Sequence, residues 1–228
     1  MKNVPLLLGT LAVTILMIVG VAFMFSGDSA DTAGQPVTAD ETLLVGESTN
    51  VREATDSAAV TVVEFSDFQC PACKATEPLV QKLLSEHGDD IRFVYRHYPL
   101  ISIHPNAQPA SLFAEAAALQ GAFWEAHDVL FDTQTEWSAI RDSQTLRETF
   151  LGYAEGWDID LEKLAADMES SAVVEAVQRD IQDGNTIGIS GTPTFFVNGV
   201  QTPAPELLTA VSSLVVKTSE TDTADSEQ

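Results

Sequence analysis

Both cysteines of the 228-residue chain lie in one tetrapeptide, Cys70-Pro71-Ala72-Cys73. Two thiols at i, i+3 can close into a disulfide and open again. Pro71 suits the first position of a helix, where its missing N–H costs nothing. Cys70 then falls at the N-cap, facing unpaired backbone N–H groups and the positive end of the helix dipole. That setting favours the thiolate and lowers the thiol's pKa. A stabilised thiolate is also a good leaving group, so a disulfide containing it is readily attacked and the dithiol form is favoured. Cys70 is therefore expected to be the reactive thiol, bordering an exposed loop from Ser66 to Gln69. Cys73, one turn further in, is expected to be shielded and slow. Two other uses of the pair compete. A static disulfide across two intervening residues restrains little of the unfolded chain. A metal-binding or metallochaperone module would hold copper(I) or zinc with the two thiols plus His97 or His104.

Elements on either side must position this pair. Val60-Thr61-Val62-Val63-Glu64-Phe65 is β-branched and almost continuously apolar, the pattern of a strand buried on both faces. A helix follows Cys70 to about His87, with Leu79, Val80, Leu83 and Leu84 on one face, and stops at Gly88. Ile91 to Tyr95 is a second strand, at a separation that suits a right-handed strand–helix–strand crossover. From about residue 100 to 187 the pattern is helical in five segments. Strand character returns at Thr194-Phe195-Phe196-Val197, Asn198-Gly199 marks a hairpin turn, and a last helix runs from about Pro205 to Val216. Glu64 interrupts an apolar strand. A buried carboxyl there would be neutral or paired, and it could take the proton of Cys73; a solvated acid at the strand end is the alternative.

These residues carry a resemblance. VVEFSDFQCPAC, followed far downstream by GTPTFFVNG, resembles the thioredoxin superfamily in its DsbA-like branch. Glu64, six residues before Cys70, matches the family's buried acid. Pro78, eight after it, matches the proline of the active-site helix, and Thr192-Pro193 matches the loop whose cis proline packs against the two thiols. Gln120 to Phe131 resembles a helix of the branch's helical insertion. The resemblance covers about residues 58 to 216. It implies an α/β thioredoxin-like fold with a helical insertion at about 100–187, catalytic Cys70, Cys73 and Glu64, and a substrate-binding backbone at Thr192 and Pro193. It implies a protein-disulfide oxidoreductase that needs no metal or organic cofactor beyond the redox-active pair. Its partners would be exported thiol-containing proteins and a membrane quinone-linked thiol oxidase that reoxidises it, and it would act as a monomer. One departure stands out: the dipeptide between the thiols is Pro-Ala where the best-known oxidases have Pro-His, so no imidazole helps the thiolate. A disulfide reductase, for example in cytochrome maturation, would use the same residues in reverse.

The rest of the chain sets the compartment. Val4 to Phe25 carries no charge over 22 residues, enough at about 1.5 Å per residue to cross a hydrocarbon core of about 30 Å. Lys2 precedes it and Asp28 and Asp31 follow. Residues 1–25 thus read as a single-pass anchor, or a long uncleaved signal, with the catalytic domain extracytoplasmic. Cleavage at Ser29-Ala30 or Ala33 is the competing reading. Both place the thiols where disulfides persist. Residues 26–57 read as a flexible acidic tether in which Leu43-Leu44-Val45 pairs as an edge strand. Residues 58–217 form the domain, and 218–228 an acidic tail without an apolar face, expected to be disordered. The chain has 34 acidic and 11 basic side chains, a formal net charge of −23. That excludes nucleic-acid binding and docking on anionic lipid, which need a Lys/Arg surface. It suits either a high-salt host or an ordinarily acidic secreted protein.

Overall fold

The computed structural model describes residues 37–46, 50–52, 58 and 60–225, with side chains to residue 216. Residues 1–25, read above as an anchor, lie outside this set. Among the described residues no helix is long and apolar enough to cross a membrane.

Val60–Ser66 forms strand β2 and Ile91–His97 forms β3, with the helix α2, Pro71–His87, crossing between them. The two strands pair in parallel, Val60 with Ile91 through Ser66 with His97. β4 (Thr194–Val197) pairs antiparallel with β2, and β5 (Val200–Thr202) with β4. The turn between them places Asn198 at φ 45° and Gly199 at φ 82°, the left-handed pair that the Asn-Gly signal demands. A short strand β1, Asn50–Arg52, closes the other edge against β3. The sheet order is β1-β3-β2-β4-β5.

The strands alternate between two faces. Val60, Val62, Ile91, Phe93, Phe195 and Val197 pack under Val80 and Leu83 of α2 and under Leu207 and Val211 of the last helix, α9 (Leu207–Asp225). Val63, Phe65, Val94 and Phe196 face the opposite way, onto Leu44 and Val45. Between β3 and β4 stand six helices: α3 Ala107–Ala118, α4 Phe123–Asp132, α5 Gln134–Trp137, α6 Ser143–Tyr153, α7 Leu161–Asp167 and α8 Ser171–Ile187. Asp142, Asp160 and Ser170 cap α6, α7 and α8 with their side chains. The insertion has its own core around Phe113, Phe150 and Trp137, and that core reaches Phe68 and Cys73 at the sheet.

Three expectations about the ends of the domain change. Leu43-Leu44-Val45 is not an edge strand but part of a one-turn helix, α1 (Glu41–Val45), because the Asp40 carboxylate accepts from the Thr42 N–H and starts a helix. The tether is correspondingly shorter. Thr38 bridges to Val200 and β1 joins the sheet, so the domain begins near Val37 rather than at residue 58. Arg96 is the reason: its buried guanidinium donates to the carbonyls of Leu43 and Leu44 while pairing with Asp180 and Asp183 of α8. At the other end the backbone of α9 stays helical to Asp225, into the stretch expected to be disordered. Extending a helix already nucleated by packed turns costs far less than starting one.

Candidate active site

Cys70 is the N-cap of α2 at φ −73° and ψ 121°, with Pro71 in the first helical turn. Both cysteines are thiols, Cys70 6% exposed and Cys73 fully buried. The Cys70 sulfur donates to the Thr192 carbonyl at 3.5 Å, and the Thr192–Pro193 bond is cis. The sequence-read residues Cys70, Cys73, Thr192 and Pro193 therefore meet, although 122 positions separate Cys70 from Thr192. The Cys73 thiol beside it is the largest influence on Cys70. With the backbone N–H groups of Cys73 and Ala72, it lowers the Cys70 pKa to about 5 against the opposing effect of burial. Burial raises that of Cys73 far above the ordinary thiol range, with Cys70 and Glu64 adding to the effect.

Glu64 is fully buried, and neither of its carboxyl oxygens has a protein hydrogen-bond partner. Burial pushes it up to about 7, so it changes charge near neutrality. The solvated strand-end alternative is set aside by this placement. Tyr95 stands opposite Glu64 on β3 and Phe195 opposite it on β4.

The loop before the thiols departs from expectation. Ser66, Asp67 and Phe68 are wholly buried, and Gln69 nearly so. Asp67 accepts from the Gln69 and Leu100 N–H groups and pairs with His104 Nδ1 at 2.6 Å. Phe68 stacks on Tyr95 at 4.9 Å. The Gln69 side chain accepts from the Asn106 N–H and donates to the Ser138 carbonyl. Gln134 donates to the carbonyls of Phe68 and Cys70. The helical insertion thus roofs the loop.

The histidines proposed as metal ligands are engaged elsewhere. His97 Nε2 meets Glu115 at 3.3 Å and His104 meets Asp67, so neither joins the thiols. Among the described residues no group of three or more His, Cys, Asp or Glu side chains is arranged to hold a metal. Residue types and spacing did not mark Asp67, Gln134 or Glu77 as parts of this neighbourhood. Glu77 is detectable as the first acid of α2, seven residues past Cys70. Burial, with Glu64 nearby, pushes it up to about 9, and it lies 3.8 Å from His127 Nε2.

A thioredoxin family model matches residues 51–216. The chain belongs to the thioredoxin family. Its fold, with the six-helix insertion between β3 and β4, is that of the DsbA branch. A thioredoxin-like oxidoreductase from Silicibacter pomeroyi superposes with a TM-score of 0.62 at 27% identity, over 77% of this chain and 97% of that one. Oxidised BdbD from Bacillus subtilis superposes at 0.64 and 22% identity, over 81% and 98%, and shares the fold. The Na+/H+ antiporter NhaA 3 of Salinispora tropica is 42% identical over 159 residues, which are 70% of this chain and 23% of that protein. NhaA 1 of Salinispora arenicola is 44% identical over 142 residues, 62% and 20% of the two chains. The chain thus matches less than a quarter of the length of these curated relatives.

Proposed function

We propose that the chain is an extracytoplasmic thiol–disulfide oxidoreductase of the DsbA type that forms disulfides in exported proteins through Cys70 and Cys73. The observation that carries this reading is the Cys70 thiol at a helix N-cap, held at about 5 beside a Cys73 that burial keeps protonated. A thiolate that stable leaves a disulfide readily and favours the dithiol, so the protein passes its disulfide on. The cycle starts from the Cys70–Cys73 disulfide. A substrate thiolate attacks Cys70, the more open sulfur, and Cys73 departs with the electron pair and takes a proton, for which Glu64 is the buried source. A second substrate thiolate then attacks the substrate sulfur of the mixed disulfide and releases the Cys70 thiolate. The Thr192 carbonyl at the sulfur's edge offers an extended substrate a strand-like backbone contact. A membrane quinone-linked thiol oxidase restores the disulfide, and the protein works as a monomer. The uncharged run from Val4 to Phe25 supports a place at the membrane, as does the matching segment inside two proteins named as antiporters.

The absence of an imidazole at Ala72 is the feature that favours the reductase alternative. The reduction potential of the pair decides between them. Equilibration of the full-length chain with glutathione buffers is expected to give a value more positive than about −200 mV. A value near about −270 mV, that of thioredoxin, would assign the reducing direction instead.

A further inference from the structure

The sheet face beneath the N-terminus of α2 is unusually polar for a buried surface. Glu64 and Ser66 are two apart on β2 and so share a face; Tyr95 and His97 stand opposite them on β3. All four are fully buried. Both Glu64 oxygens, Ser66 Oγ, Tyr95 Oη and His97 Nδ1 lack a protein hydrogen-bond partner. A buried donor or acceptor without a partner is costly, and native folds carry only a few such groups. Here they gather on the same face as the Cys73 thiol, which packs with Tyr95 and Phe68. Ser66 is central to the group. It lies two residues from Glu64 on the same face of β2 and directly opposite His97 on β3, and its hydroxyl favours the ionised forms of Glu64, of Cys73 and of Tyr95 alike. Its rotor is not committed to any of them. The charged and titratable groups facing this spot are Cys70, Cys73 and Glu77 from α2, Tyr95 and His97 from β3, Asp67 from the following loop and His127 from α4.

We infer that the Ser66 hydroxyl relays the proton between the Cys73 sulfur and the Glu64 carboxyl. When a substrate thiolate attacks Cys70, the substrate–Cys70 bond forms and the Cys70–Cys73 bond breaks, leaving its electron pair on Cys73. Cys73 takes the Ser66 proton while Ser66 takes the proton of Glu64. Glu64 ends as carboxylate, Ser66 is unchanged and Cys73 is a neutral thiol. When Cys73 attacks the mixed disulfide in the reverse sense, both protons move back. A hydroxyl can do this because it donates and accepts at once. Tyr95, which burial holds well above its ordinary pKa, stays protonated and serves only as a donor beside it. The relay rests on the reading of Glu64 as the proton carrier.

The test is the rate at which dithiothreitol reduces the oxidised full-length chain, followed against pH by acid quenching and alkylation. Wild type, Ser66→Ala, Ser66→Thr, Glu64→Gln and the Glu64→Gln/Ser66→Ala double variant are compared. Loss of a proton relay is expected to slow Ser66→Ala by about tenfold or more below neutral pH. Ser66→Thr, which keeps the hydroxyl, should recover most of the rate. The double variant should be no slower than the slower single, and the Cys70 thiolate absorbance should titrate as in wild type. In wild type, rates in H2O/D2O mixtures should bow with deuterium fraction, because two protons move together. A linear dependence overturns the relay whether or not any variant folds. So does a native pH profile in Ser66→Ala, a multiplicative double variant, or a shifted Cys70 titration. Glu64→Gln with a native profile would remove the carrier itself, whereas a slowed Glu64→Gln beside a native Ser66→Ala would remove only the relay.

Discussion

At Cys70 and Cys73 one helix gives two cysteines opposite acidities. Cys70 sits ahead of the first turn, where the Cys73 thiol and backbone N–H groups meet its sulfur; Cys73 lies beneath that turn in the cluster with Phe68 and Tyr95, where the Ser66 and Thr192 hydroxyls fall short of offsetting the loss of water. Little surface is open at either sulfur, Cys70 being only 6% exposed. At Cys73 burial prevails, whereas at Cys70 the partners of the charged sulfur outweigh it. Iodoacetamide at about pH 6 should therefore label Cys70 and spare Cys73, and thiolate absorbance should show a midpoint near 5 that Cys70→Ser abolishes. Label on Cys73, or on both equally, would move the nucleophile. The sign of the pH effect follows. A depressed pKa favours the dithiol state above it and ceases to do so as the pH falls through about 5. The preference for the dithiol over a glutathione couple should thus grow from pH 5 upward. A preference that is flat between pH 4 and pH 7 would show that Cys70 is not ionised there.

The elements divide into those a local pattern reveals and those it does not. β2, α2 and β3 were legible because their signals are contiguous: β-branched runs, Pro71 after Cys70, Gly88 as a stop. The Asn198-Gly199 hairpin was legible for the same reason. Glu64 stood out because a single acid broke an apolar run. The N-terminal segment was misread because what orders it lies elsewhere in the chain. Leu44 and Val45 are buried against β-strand residues, and the Leu43 and Leu44 carbonyls are held by Arg96, more than 50 positions away. The Ser66–Gln69 loop looked exposed because its cover, Asn106, Gln134 and Ser138, comes from the insertion. The Arg96 clasp can be tested. Its guanidinium is 1% exposed, with Asp180 almost as buried and Asp183 at its rim. Asp180 also accepts from the His97 N–H, so the clasp ties α8 to the end of β3. Arg96→Met would leave Asp180 without its counter-charge, which for a buried pair costs about 3–5 kcal/mol. Urea unfolding should show that loss, and limited proteolysis should cut between residues 37 and 52 faster than in wild type. A loss under about 1 kcal/mol, with unchanged proteolysis, would mean that α1 is held by Leu44 and Val45 alone.

Across the whole molecule the net charge of −23 is the dominant feature. Part of the basic complement is already paired with acids. Arg52 pairs with Asp128 and lies over the Trp124 ring, Arg96 serves the clasp, and Arg147, Lys82 and Lys163 each meet a nearby acid. With 34 acidic against 11 basic side chains, carboxylates stay in large excess, so like-charge repulsion works against the compact state. Salt acts on the opposing contributions unequally. It weakens exposed pairs such as Lys82–Glu86, worth about 0–1 kcal/mol each, but leaves the buried Arg96 cluster nearly untouched, because screening needs ions to reach the charges. The repulsion is spread over the surface and acts over several ångströms, the range that salt removes when the Debye length falls from about 10 Å at 0.1 M to about 3 Å at 1 M. The net effect of salt is therefore stabilising. The thermal midpoint should rise between dilute buffer and molar potassium chloride, and most of the rise should come at the low end, where the Debye length changes fastest. Potassium chloride is the right probe because sulfate would also strengthen apolar burial. A midpoint that stays level or falls would show that the surface carboxylates are spaced too widely to oppose folding, and that the acidity reflects solubility rather than a high-salt setting.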